Sequence, residues 1–371
     1  MMKQAIPERF LISPFLVFFV IHAAQVGVGA LNFQRPLMKE AGQDAWMAVL
    51  LAGLAAHVLI WLMYRLLSHS PSGGDLVSLH QQHFGRWIGG VLSLGLLFYY
   101  ALAAFMVLQS YIEIIKVWVF PLMGAWQFSL VFLLLTYYAV SGGFRVVVGL
   151  CVWGVVIPLL TIFPMVFFPL EYAQYRNLLP VFDHSFGQLA KASKEMVLQY
   201  LGFEMLLMYY PFLKNAPSSQ KWAHAANAFT MFIYLVVMLI SIVFYNKEQI
   251  QHITWPTLTL AKIPEVPFIE RMEYIVISVY VLVVLPIIAV SVWAATRVIK
   301  QLFVVQQRRS LPVLLACLFV GTLFFQEKTD IERLTQWTAK AGFYLVAVYV
   351  PLLYVYVWTA EKVKKALQQK P

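Results

Sequence analysis

The chain has 371 residues, of which 61% are hydrophobic and 12% charged, with a formal net charge of +10. A soluble domain carries about twice that charged share, so the composition excludes a soluble globular protein and reads as an integral membrane protein. The positive charge gathers at the ends of apolar segments, as membrane topology requires, and gives no support to nucleic-acid binding.

Stretches apolar enough to cross a hydrocarbon layer of ~30 Å, at about 20 residues each, fall near 10–32, 46–67, 87–112, 124–141, 144–168, 188–213, 222–245, 272–300, 310–326 and 340–361. They predict an all-α membrane protein of about ten transmembrane helices, one polytopic domain over 1–371 with approximate halves 10–168 and 188–361. Placing both termini on the cytoplasmic side puts Arg297, Lys300, Arg308 and Arg309 inside, together with Lys362, Lys364, Lys365 and Lys370, where they meet anionic lipid headgroups. Cys151 and Cys317 lie within spans and indicate neither a disulfide nor a metal site. No cofactor and no metal are expected.

The first span contains Gln25-Val26-Gly27-Val28-Gly29-Ala30-Leu31. Each glycine weakens a helix by roughly 1 kcal/mol relative to alanine, and in a bilayer each freed backbone group needs a protein or water partner. Two readings stay open: close helix packing on small residues, or a break whose free N–H and C=O groups line a cavity. His22 and Gln25 precede it on one helix face. A packing role is expected for His22, and a short second half-helix over 31–38.

Further on, Ser70 to Asp75 reads as a turn ending in a helix cap for the segment 76–84, which is expected along the inner surface. Span 3 carries Tyr99 and Tyr100, of which one phenol either faces a cavity or packs in the core. Span 6 contains Tyr200-Leu201-Gly202-Phe203-Glu204, with Pro211 beyond. A glycine beside a carboxylate at bilayer depth repeats the pattern of span 1, because Glu204 is costly there unless paired, protonated or wet. Three roles compete for it: a structural hydrogen bond to broken backbone or a neighbouring helix, a partner for a ligand amine, or a proton carrier. Interrupted first and sixth spans in two five-span halves are the expected trace of an inverted repeat. The loop from Tyr245 to Glu270 either caps the cavity or merely connects, and it closes on Glu270-Arg271-Met272-Glu273, where an Arg271 ion pair fixing the loop is expected. Span 8 adds Pro286, suggesting a kink, and Ser291, a polar point on the wall.

Taken together, Gly27-Val28-Gly29 with Arg35-Pro36, Gly85-Arg86-Trp87-Ile88-Gly89, Leu178-Leu179-Pro180-Val181, Leu201-Gly202-Phe203-Glu204 with Pro211, Trp255-Pro256-Thr257 and Phe268-Ile269-Glu270-Arg271-Met272-Glu273 resemble a known family over nearly the whole chain. That family is the B subunits of bacterial spore germinant receptors, which are similar to amino acid permeases of the amino acid/polyamine/organocation superfamily. The resemblance implies a LeuT-like bundle with a five-plus-five inverted repeat, in the inner spore membrane, with termini on the core side. It implies partners: an A-type membrane subunit, a C-type lipoprotein subunit and a small-molecule germinant. Carried onto this chain, the ligand site comprises Gly27, Val28, Gly29, Tyr99, Leu201, Gly202, Glu204 and Ser291, with Glu270, Arg271 and Glu273 as a structural motif. The chain departs from the family pattern at Gln34, where a proline is usual, and at Tyr280, where tryptophan is frequent.

The expected function is a nutrient sensor that binds a germinant, an amino acid foremost, and signals through its partners. A proton-coupled amino acid or amine transporter on Glu204 is the alternative. An enzyme is not expected, since no nucleophile–base pair, metal cluster or phosphate loop stands out.

Overall fold

The computed structural model describes residues 6–70, 73–264 and 271–368. Among these residues every regular element is a helix; extended pairing is limited to an isolated bridge between Ile12 and Leu213. In chain order the α-helices are α1 Leu16–Gln25, α2 Gln34–Ala41, α3 Ala45–Ser68, α4 Leu76–Trp118, α5 Ala125–Ser141, α6 Phe144–Thr161, α7 Phe186–Tyr200 and α8 Leu206–Tyr209. They continue with α9 Ala216–Phe244, α10 Lys247–Gln251, α11 Pro256–Leu260, α12 Met272–Phe303, α13 Gln307–Phe324, α14 Lys328–Phe343 and α15 Val350–Gln368.

Helices occupy all ten predicted stretches, yet only six helical segments among the described residues are long and apolar enough to cross a membrane: 34–68, 76–118, 144–172, 216–244, 272–303 and 328–366. The difference has physical causes. The first and sixth stretches are each cut into pieces too short to span, α5 has 17 residues, and α13 opens on Gln307-Arg308-Arg309. The protein is an integral membrane protein by these apolar helices.

The centre of the bundle is α12, which packs against α4 and α6 and is the most deeply buried of the six segments. It runs unbroken from Met272 to Phe303 with Pro286 inside. Polar ties pin the surrounding helices. Thr230 on α9 pairs with His22 Nδ1 of α1 (2.8 Å), Asn227 accepts from Gln25 Nε2 (2.9 Å) and donates to the Gly53 carbonyl of α3 (2.9 Å), and Tyr64 pairs with Ser219 (2.6 Å). His22 thus packs toward α9 through one hydrogen-bonded ring nitrogen. In a bilayer such bonds matter because lipid offers the freed groups no alternative partner.

Segment 76–84 is a short helix ahead of span 3, set off from the rest of α4 by non-helical backbone at Gly85 (φ 73°); Leu76 to His80 are buried, Gln82 is exposed, and Gln81, His83 and Phe84 are half-buried. Asp75 caps it by accepting from Ser78 N (3.1 Å), as read from the sequence, and its other oxygen meets Arg297 of α12 (3.0 Å). His80 is bonded on both ring nitrogens, to Ser93 (2.9 Å) and Tyr349 (2.6 Å), which removes the cost of burying it. At the other end of the bundle, Asp44 accepts from the backbone N–H groups of Phe182, Asp183 and His184 at 2.8–3.1 Å and from the His184 ring (3.0 Å), fixing the mid-chain connection to the α2–α3 corner.

Candidate functional site

The first break begins where α1 ends at Gln25. Val26 (φ −95°, ψ 97°) and Gly27 (φ −123°, ψ −157°) are extended, a single 3-10 turn follows over Val28–Leu31, and α2 resumes at Gln34. The second lies between α7 and a tight run of short turns. Leu201 is extended (ψ 152°), Gly202 has φ 124°, and a 3-10 turn over Phe203–Met205 leads into α8. Both interruptions expected from the glycines are therefore present.

The breaks sit side by side and are stitched together. Gln25 Nε2 donates to the Tyr200 carbonyl (3.1 Å), while the Tyr234 hydroxyl of α9 bridges the carbonyls of Gln25 (3.0 Å) and Gln199 (3.3 Å). Gly202 lies so close to α1 that a Cβ there would collide with the Ala24 backbone. Glycine is required here by contact and by its positive φ together.

Glu204 is 1% exposed, and both its oxygens are engaged: Tyr99 OH donates to Oε1 (2.7 Å) and the Gly202 N–H to Oε2 (2.6 Å). Tyr100 OH reaches the Glu204 carbonyl (3.3 Å). Of the three roles left open for this carboxyl, the geometry matches the structural one: it satisfies an N–H freed by its own break and a phenol from α4. Tyr99 is the phenol on the cavity wall.

All eight residues proposed for the ligand site, Gly27, Val28, Gly29, Tyr99, Leu201, Gly202, Glu204 and Ser291, line one cavity of about 930 Å³. Among the described residues, the N–H groups of Gly27, Val28 and Gly29 donate to no backbone carbonyl and to no side chain. Ser291 Oγ is buried on the same wall without a hydrogen-bond partner. Unspent donors and a buried orphan hydroxyl are what a small polar ligand, or water in its place, would satisfy. Arg35, Lys39, Lys194, Lys328 and Lys340 stand with Glu113, Glu195, Glu204 and Glu332 around this cavity, so side chains of both charge types border it.

Three contributors were not selected from the sequence. Gln199 places its carboxamide against Gly29, filling the space a Cβ would need, and lines the cavity. Tyr280 of α12 donates to the Gly27 carbonyl (2.7 Å), and Thr257 Oγ1 donates to that of Ala30 (2.9 Å). Tyr280 was noticed as a departure from the family pattern and Thr257 within the Trp-Pro-Thr motif; Gln199 had no signal. Gln34, the other departure, reaches Ser241 (3.2 Å) and Thr257 (2.5 Å) through Nε2. The loop after α9 contributes Thr254 and Trp255 to the cavity wall. Arg271 pairs with Glu273 (3.1 Å) and stacks over Tyr274 (4.0 Å); Glu270 lies outside the described residues.

Comparison with known proteins agrees in direction. A family model described as spore germination protein matches residues 11–331. The chain is 41% identical over 354 residues to spore germination protein GerQB of Bacillus cereus, covering 95% of this chain and 97% of that protein. It is also 23% identical to spore germination protein B2 of Bacillus subtilis over 68% of this chain and 69% of the other. To spore germination protein A2 of the same species it is 19% identical, over 89% and 90%. The chain belongs to the spore permease family of spore germination proteins.

Proposed function

We propose that this protein is the membrane subunit of a spore germinant receptor and that a small nutrient binds in the cavity between the two breaks. The observation that carries the reading is the set of unspent N–H groups at Gly27, Val28 and Gly29 facing a cavity beside a closed second break. Three consecutive unpaired backbone donors at a helix interruption suit a carboxylate or a comparable acceptor, which keeps an amino acid as the first class to test. Glu204, already bonded twice, is not offered as the amine partner in this state; carbonyls of the break take that part. The signal is a shift between two bundle states, for which differential affinity of a few kcal/mol suffices.

The wider arrangement belongs to the same proposal. The ten helical stretches form a five-plus-five inverted repeat, both termini face the spore core, and an A-type membrane subunit and a C-type lipoprotein read the state of the bundle from the inner spore membrane. The proton-coupled transporter reading needs Glu204 to release its bonds during a cycle, and no observation favours it over the sensor.

The test is germination of spores lacking the gene and of spores with Gly29→Leu at normal protein level, across a panel of amino acids and other nutrients. Loss of response to one nutrient class in both strains is expected. Normal germination to every nutrient would refute the receptor reading.

A further inference from the structure

Beside the first break lies a second chamber of about 110 Å³, partly open to its surroundings, whose lining shares no residue with the large cavity. Its walls come from Val26 and Leu31 of the break, Pro158 of α6, Ile233 of α9, Leu260 of α11 and Val283 of α12. The polar side chains at its edge hold other partners, His22 through one of its two ring nitrogens: His22 Nδ1 with Thr230 (2.8 Å), Tyr280 OH with the Gly27 carbonyl (2.7 Å) and Thr257 Oγ1 with the Ala30 carbonyl (2.9 Å). Water entering such a space would find few of the two to four partners it needs, so the chamber favours hydrocarbon. Its outer wall, α6 and the turns after it, exposes Leu160, Phe167 and Phe168, which gives an apolar molecule a route from the bilayer.

We infer that this chamber is a second ligand site, for one small lipophile of about the size of a benzene ring. Size selects the occupant: an engineered dry cavity of about 150 Å³ takes up benzene, and a space of this order is too small for a whole acyl chain. Position gives the site a consequence. A ring held here rests on Tyr280 and Thr257, the two side chains that hold the carbonyls of Gly27 and Ala30, so occupancy restrains the same break that borders the large cavity. The binding claim stands on the chamber alone; the coupling claim rests on the receptor reading.

The site is tested on the full chain in lipid nanodiscs with a photoactivatable phenyl diazirine and bromobenzene as competitor. Adducts are expected on Val26, Ile233 and Val283, saturable and displaced by bromobenzene. Leu159→Trp and Ile233→Trp, which fill the chamber from its α6 and α9 walls, should each cut that labelling by about tenfold, while labelling at lipid-facing Leu160 persists. Labelling that merely follows lipid exposure, or that both filled variants retain, would overturn the site. Saturable labelling of the same walls by a phospholipid carrying a mid-chain diazirine would overturn the choice of occupant. In spores, bromobenzene should shift the half-maximal nutrient concentration in the parent and not in the filled variants; an equal shift in all three would overturn the coupling, leaving the labelling result intact.

Discussion

The two breaks use glycine in opposite ways. At the second, Gly202 is held at φ 124° against the Ala24 backbone, and the N–H it exposes is returned at once to Glu204 of the same turn. At the first, no residue has positive φ, the N–H groups of Gly27, Val28 and Gly29 stay unspent, and the neighbours a Cβ would meet are flexible ends: Ile287 Cδ1 at 2.9 Å for Gly27 and the Gln199 carboxamide for Gly29. One break is closed by its own chain; the other is finished by whatever enters the cavity. Since an unpaired backbone group out of water costs several kcal/mol, the open break is the place where a ligand gains most.

Five substitutions at four positions sharpen this contrast, beginning with the largest effect. Gly202→Ala imposes a strained backbone costing about 1–3 kcal/mol and a collision with backbone that cannot yield, so the protein should fail to accumulate in the membrane. Normal accumulation by immunoblot would break the claim that this junction is rigid. Next, Glu204→Ala strands Gly202 N–H and Tyr99 OH, at about 1–3 kcal/mol each, and should lower thermal stability in detergent. Glu204→Gln keeps an acceptor for the N–H and a donor for the phenol oxygen, and should hold both stability and nutrient response. If the glutamine variant accumulates yet responds to nothing, the carboxyl carries a proton and the transporter alternative regains ground.

Gly29→Leu displaces the Gln199 carboxamide into the cavity. Little change in accumulation is expected, with nutrient response lost; a preserved response would remove the open break from the binding site. A smaller effect belongs to Tyr280→Phe, which deletes one hydrogen bond to the Gly27 carbonyl, worth about 1 kcal/mol. A modest shift in the nutrient dose–response curve, with stability near that of the parent, is the expected outcome.

Much of this contrast was legible in the sequence. Glycines at 27, 29 and 202 and a carboxylate at 204 inside apolar stretches violate what a membrane helix tolerates, and violations of that kind localise interruptions. Hydropathy located the helical stretches for the same reason. What escaped was partnership across the bundle. Gln199, Tyr234 and Tyr280 are ordinary members of polar and aromatic positions that recur along the chain, and only their approach to freed carbonyls and to Gly29 gives them a role. In segment 76–84 the partners of His80 were likewise hidden, because Ser93 and Tyr349, the latter far along the chain, satisfy it in the interior. Span counting also faltered at the breaks themselves, which divide two predicted crossings into pieces too short to qualify alone.

Amide hydrogen exchange of the purified chain in nanodiscs, with and without each nutrient of the panel, tests the central claim most directly. The account predicts that the nutrient that fails to trigger Gly29→Leu spores slows exchange across residues 27–29 and leaves Gly202 unchanged. Protection confined to the second break, or none at residues 27–29 with a nutrient that triggers the parent spores, would contradict it.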